Sequence, residues 1–154
     1  MPIHRSPLLA DSTNISILRT LSGKPRMSMS ELARMVGMSA PAVRERVQRL
    51  EEAGLVRGCR LELDPALLGY PVALMIRIRP MPGQLRNIIE LAQRTPRIVE
   101  CHRITGEDCF IMRAHVESLD EIDALLDSFL VFGQTTTSII QSSPIPGRAL
   151  PLGD

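Results

Sequence analysis

Apolar positions in the first third of the chain recur at helical spacing, and each run is bounded by residues that start or stop helices. Ile15, Ile17, Leu18 and Leu21 form the first run, with Asp11, Ser12 and Thr13 offering N-caps and Ser22-Gly23-Lys24-Pro25 ending it. Ser28-Met29-Ser30-Glu31 reads as a capping box, so a second helix starts near Met29, with Leu32, Met35 and Val36 inward, and stops at Gly37. Ser39 caps a third helix, because Pro41 is tolerated only in a first turn, where amides lack helical partners. That helix runs to about Ala53 and is closed by Gly54; a short extended segment around residues 59–63 precedes the turn Asp64-Pro65.

Beyond Tyr70 the period changes. Val72, Leu74, Ile76 and Ile78 alternate along residues 71–79, which predicts a strand, and Pro80-Met81-Pro82-Gly83 predicts a loop. Leu85, Ile88, Ile89, Leu91 and Ala92 return to helical spacing until Thr95-Pro96. Residues 98–105 and 109–116 read as two strands around Gly106-Glu107-Asp108, a hairpin. Ser118 is expected to cap a helix with Ile122, Leu125, Leu126 and Phe129 inward, and Gly133 leads to a β-rich stretch over residues 135–142. The order βαββαβ is that of the split-βαβ, ferredoxin-like sandwich, so the chain is expected to be α+β. The domains expected are a helix-turn-helix over residues 8–58, a hinge over 59–70, the ferredoxin-like domain over 71–143 and an irregular tail over 144–154.

Charge sharpens this division. The chain of 154 residues has a net charge of +1, but residues 1–60 hold ten basic and five acidic side chains, while residues 61–154 hold eight and twelve. A basic first half is expected to face nucleic acid, and the acidic second half need not touch phosphate. Lys24 is the only lysine, so the positive charge is almost all arginine, suited to bidentate contacts with phosphate or guanine. With 44% hydrophobic and 23% charged residues the chain is expected to fold as a globular protein. Apolar runs of a few residues are far short of the ~20 that cross a bilayer, and the N-terminal stretch with His4 and Arg5 has no secretory apolar region, so a cytoplasmic location is expected.

The second and third helices, joined by Gly37-Met38, form a helix-turn-helix. Val43, Val47 and Leu50 share one face of the third helix, leaving Pro41, Arg44, Glu45, Gln48 and Arg49 outward, after the capping Ser39. Arg44 is suited to guanine edges and Gln48 to adenine, while Arg46 and Arg49, nearer the flanks, are expected to hold phosphates of double-stranded DNA.

The run over residues 27–56, from Ser28-Met29-Ser30-Glu31 through Arg44-Glu45-Arg46-Val47-Gln48-Arg49-Leu50-Glu51, resembles the DNA-binding half of the Lrp/AsnC family of transcription regulators. The second half is similar to that family's effector-binding and oligomerisation domain, in strand order and in Thr105-Gly106 followed by Thr135, Thr137 and Ser138. The resemblance implies a homodimer or larger even assembly, up to an octamer, in which amino acids or related molecules bind between subunits at Gly106, Glu107, Asp108, Thr135 and Thr137. It implies no resident cofactor, no metal and no catalysis. Asn14 stands where the family usually has aspartate, and Cys109 where many members have aspartate.

Siroheme decarboxylases resemble the same family, which makes an enzyme the alternative, but no basic, histidine-bearing pocket for a tetrapyrrole is legible. Cys101 and His102 are adjacent, and neighbouring strand residues point to opposite faces, which argues against a catalytic pair. His4, His102 and His115 are scattered. Cys59, Cys101 and Cys109 fit neither a disulfide framework nor a zinc quartet, and a Cys101–Cys109 pair would need those residues to lie opposite each other across the hairpin. The acids Glu117, Asp120, Glu121, Asp123 and Asp127 read as a solvated helix face.

Overall fold

The computed structural model describes residues 6–152, so His4 and the N-terminal stretch read for a secretory signal lie partly outside the described residues. The chain divides into two compact units: one holds residues up to Leu61 together with the tail from Gly147, and the other is Glu62–Pro146.

In the first unit a 3-10 turn, Pro7–Ala10, leads into α1 (Ser12–Gly23), α2 (Met29–Val36) and α3 (Ala40–Glu52). Each start is fixed by side-chain chemistry. Asp11 accepts from the Thr13 amide at 2.8 Å. At α2 the Ser28 amide donates to Glu31 Oε2 at 2.9 Å and the Glu31 amide to Ser28 Oγ at 3.2 Å, completing the capping box. Gly37, with φ of 69°, ends α2 in the left-handed conformation that glycine adopts most cheaply. Ser39 accepts from the Ala42 amide, with Pro41 in the first turn of α3.

Ile17, Leu18, Leu32, Ala33, Val43, Val47 and Leu50 form this unit's core. Met35, expected inward, is instead 59% exposed, and Ala33 takes its place. Leu32, Ala33 and Val36 span one arc of α2, and Met35 falls outside it. Leu152 of the tail packs against the same core. The segment expected to be extended around residues 59–63 forms no strand; residues 57–64 are exposed and enter no ladder.

The second unit contains β1 (Val72–Pro80), α4 (Leu85–Arg94), β2 (Ile98–Arg103), β3 (Phe110–Val116), α5 (Glu121–Leu130) and β4 (Gly133–Ile139). The strands form one antiparallel sheet in the order β2-β3-β1-β4. This is the split-βαβ arrangement. Leu74, Ile76 and Ile78 of β1 and Phe110, Met112, Ala114 and Val116 of β3 are buried with Ile88, Leu91, Leu125 and Phe129 of the two helices. The alternate residues of β1 and β3 form the opposite, helix-free face.

Two expectations need correction here, and the hairpin register answers the open question of Cys101. Ser118 does not cap α5: the helix starts after Asp120, which makes no side-chain cap, and Glu121 Oε2 accepts from the Glu117 amide at 3.2 Å. The last strand starts at Gly133 rather than two residues later, since Gly133 pairs with Pro80; a Cβ at Gly133 would sit 2.4 Å from the Arg79 carbonyl oxygen, which only glycine avoids. In the hairpin Cys101 lies opposite Met112, not Cys109, because Ile104 bonds to Cys109 and leaves a four-residue loop.

Candidate nucleic-acid interface and ligand-domain loop

The α3 helix is held by Val43, Val47 and Leu50, buried at spacings of three and four, so its other side faces solvent. Pro41, Arg44, Glu45, Gln48 and Arg49 are all exposed there, and Ala40, Pro41, Arg44, Glu45 and Gln48 line a shallow depression. The outward side chains differ in how they are engaged. Arg49 pairs with Glu45 one turn earlier, and Gln48 Nε2 donates to Glu52 Oε1 at 2.8 Å. Among the described residues Arg44 has no ion pair or hydrogen bond, so its guanidinium is presented with all its donors unused. Ser39 is spent on the helix cap.

Arg46 departs from expectation. Its Nη1 lies 2.5 Å from Asp11 Oδ2 and 2.9 Å from Asn14 Oδ1, and Asn14 Nδ2 in turn donates to the Leu8 carbonyl at 3.0 Å. Asn14 is 5% exposed, and both ends of its amide are satisfied. Arg46 therefore fastens α3 to the start of α1 instead of standing with the outward cations. The hydrogen bond from Arg46, followed by that from the Thr13 amide, holds the Asp11 carboxyl below its ordinary value. Sequence reasoning missed this clamp, although position 46 borders the buried seam on the helical wheel.

In the second unit Gly106 has φ of 115°, a left-handed backbone that favours glycine and turns the hairpin. Glu107 pairs with Arg79, and the Asp108 carboxylate lies 3.8 Å from Arg77 and 3.9 Å from Arg79. Arg77 and Arg79 alternate with the buried residues of β1, so these pairs lie on the helix-free side of the sheet. Thr135 and Thr137 stand opposite Ile78 and Ile76 and share the helix-covered side; the buried Thr137 Oγ1 has no hydrogen-bond partner. Within one chain, then, the loop acids and the two threonines are not brought together. Cys109, partly buried, packs against the core, and its amide bonds to the Ile78 carbonyl at 3.0 Å.

Partial burial pushes the Cys101 thiol up, which disfavours the reactive thiolate. No group of metal-ligating side chains occurs among the described residues, and no helix there is long and apolar enough to cross a membrane.

Residues 11–57 match the winged helix-turn-helix DNA-binding model, and residues 73–150 match the Lrp/AsnC ligand binding domain. LrpC of Bacillus subtilis, an HTH-type transcriptional regulator, is 31% identical, with 86% of this chain and 92% of LrpC covered. Its solved structure superposes with a TM-score of 0.83 over 89% of this chain and 98% of LrpC, at 30% identity. The leucine-responsive regulatory protein of Rhizobium meliloti is 32% identical, with 86% of this chain and 84% of that protein covered. A Neisseria meningitidis transcriptional regulator in complex with L-methionine shares the fold, with a TM-score of 0.85 at 24% identity over 92% of this chain and 96% of that one. With a helix-turn-helix head, a ligand-binding domain of the same order and regulators as relatives, the chain belongs to the Lrp/AsnC family of DNA-binding transcription regulators and not to an enzyme branch of that fold.

Proposed function

We propose that this chain reads a specific DNA sequence with the outward face of α3, as a cytoplasmic homodimer or larger even assembly whose DNA affinity or assembly responds to a small molecule, an amino acid or derivative, bound between subunits. The observation that carries the reading is the exposed α3 face with Arg44 unpaired at its first turns, on a helix whose buried side is fixed by the core. Arg44 is assigned to a guanine, Gln48 to an adenine and Arg49 to phosphate.

Two observations support a second copy. The helix-free face of the sheet carries Met75 and Ile111 together with Arg113 Nε and His115 Nδ1, buried atoms with no hydrogen-bond partner. A facing subunit supplies cover to the half-buried apolar side chains of this face. The loop of Gly106, Glu107 and Asp108 and the threonines Thr135 and Thr137 lie on opposite sides of one sheet, so a ligand touching both sets needs two subunits. The amino-acid class is supported by relatives named leucine-responsive regulatory proteins. Selection from random duplexes tests the reading: a motif with two half-sites about one helical turn apart is expected, and recovery of no motif contradicts it.

A further inference from the structure

Arg44, Gln48 and Arg49 each have a role in this reading, which leaves Glu45, an acid in the middle of a surface that enters a polyanion. A carboxylate carried into a groove between phosphates is repelled and loses water, and only a hydrogen-bond donor offsets that cost. In the major groove the donors on base edges are the exocyclic amines of cytosine and adenine, and adenine sets its N7 acceptor beside the amine. We infer that Glu45 is a specificity determinant that accepts from a cytosine N4 amine next to the guanine read by Arg44, while Arg49 passes from Glu45 to a phosphate. The inference rests on the proposal that α3 reads bases.

The geometry suits this exchange. Glu45 and Arg49 pair at a spacing of four with side chains 64% and 63% exposed, and so open a pair is weak and cheap to break. Glu45 and Arg44 border the same depression, so both heads are offered to one stretch of groove. On DNA that offers a cytosine, the carboxylate gains a hydrogen bond from the amine and the released guanidinium gains a phosphate, so both groups keep a partner. Elsewhere Glu45 either keeps Arg49 and forfeits the phosphate contact or sits in the groove without a donor. One wrong base thus costs the amine contact together with either the phosphate contact or an unpartnered carboxylate in the groove.

The test compares the wild type with E45A and E45Q by selection from random duplexes and by titration of a random duplex across salt. The wild-type motif is expected to hold a cytosine beside its guanine. E45A should keep the guanine, lose the preference at its neighbour and bind random duplex about threefold tighter or more. Its log-log salt slope should steepen by about 0.9 per subunit, as a freed Arg49 displaces one more counterion. E45Q should move the neighbouring preference toward adenine, the bidentate partner of glutamine. In the selected duplex, 2-pyrimidinone in place of that cytosine removes only the amine and should weaken the wild type about tenfold but E45A less than twofold. Unchanged motifs in both variants overturn the inference, whereas a wild type that selects no motif overturns the underlying reading of α3.

Discussion

Arg46 of the third helix reaches back to Asp11, the residue that caps the first, with 2.5 Å between guanidinium and carboxylate. Asn14 joins them, so a single side chain of α3 is fixed to two residues at the opening of α1. The clamp sets the angle at which α3 is presented, and it separates two kinds of arginine on one helix. Arg46→Ala should lower the melting temperature and weaken all duplexes equally, without changing the salt slope, because no phosphate contact is lost. Asn14→Ala leaves the Leu8 carbonyl and one guanidinium donor unpaired in a partly buried place and should cost about 1 kcal/mol by denaturant unfolding. A reduced salt slope in Arg46→Ala would show that Arg46 holds a phosphate after all.

The same pair gives an acid dependence of known sign. Asp11 titrates below its ordinary 3.8 in the folded state, so its contribution to stability is fully present above 3.8 and is lost as pH falls through the lower, folded value. The stability gap between wild type and Arg46→Ala should therefore be constant near neutrality and narrow below pH 3.8, where only the Asn14 contact of Arg46 remains. Thermal melts of both proteins over that range check this, and a gap that stays the same size in acid rules it out.

Assembly through the helix-free face of the sheet predicts that Ile111→Glu, which places a charge between Arg77 and His102 on that face, gives folded monomers by light scattering. Losing the second head removes its avidity, so binding to a two-half-site duplex should weaken by about 100-fold or more, with little change on a single half-site. A variant that stays dimeric shows that the subunits meet elsewhere.

For the effector, the informative position is 109. An amino acid's ammonium group needs an acidic partner, and where many members of the family carry aspartate Cys109 is a thiol packed against the core, while Glu107 and Asp108 are engaged by Arg77 and Arg79. Leucine and similar plain aliphatic amino acids should therefore give no saturable thermal shift at sub-millimolar concentration, and Cys109→Asp should create one. A ligand at 100 times its dissociation constant stabilises by ~2.7 kcal/mol, well within reach of a melt. A saturable leucine shift in the wild type that survives Glu107→Ala and Asp108→Ala would refute the loop argument.

Features set by neighbours in sequence were legible before the fold was. The Ser28–Glu31 box, the Gly37 stop, the Val43–Val47–Leu50 seam and the alternation of Leu74, Ile76 and Ile78 each depend on spacings of two to four residues, and they stand in the structure where they were placed. Apart from Met35, a helical-spacing reading that proves exposed, what was missed depended on partners far along the chain or on loop geometry. Arg46 finds Asp11 only through the packing of α3 on α1, 35 residues away. The face of Thr135 and Thr137 is set by pairing with β1, and the opposition of Cys101 to Met112 by the hairpin's loop length. Ser118 had the right residue type for a cap, but the helix begins after Asp120. Of the outward α3 set, the residue types were readable in sequence; which of them are already paired was not.

Arg44 carries the central claim, and its removal tests it most directly. Affinities of wild type and Arg44→Ala should be measured on the selected duplex and on random duplex at several salt concentrations. The account predicts steep salt dependence for both proteins, a loss of roughly 1–3 kcal/mol on the selected duplex and little change on random DNA. Equal losses on the two duplexes would contradict it, since they would mean that Arg44 meets only phosphates and that α3 does not read the sequence.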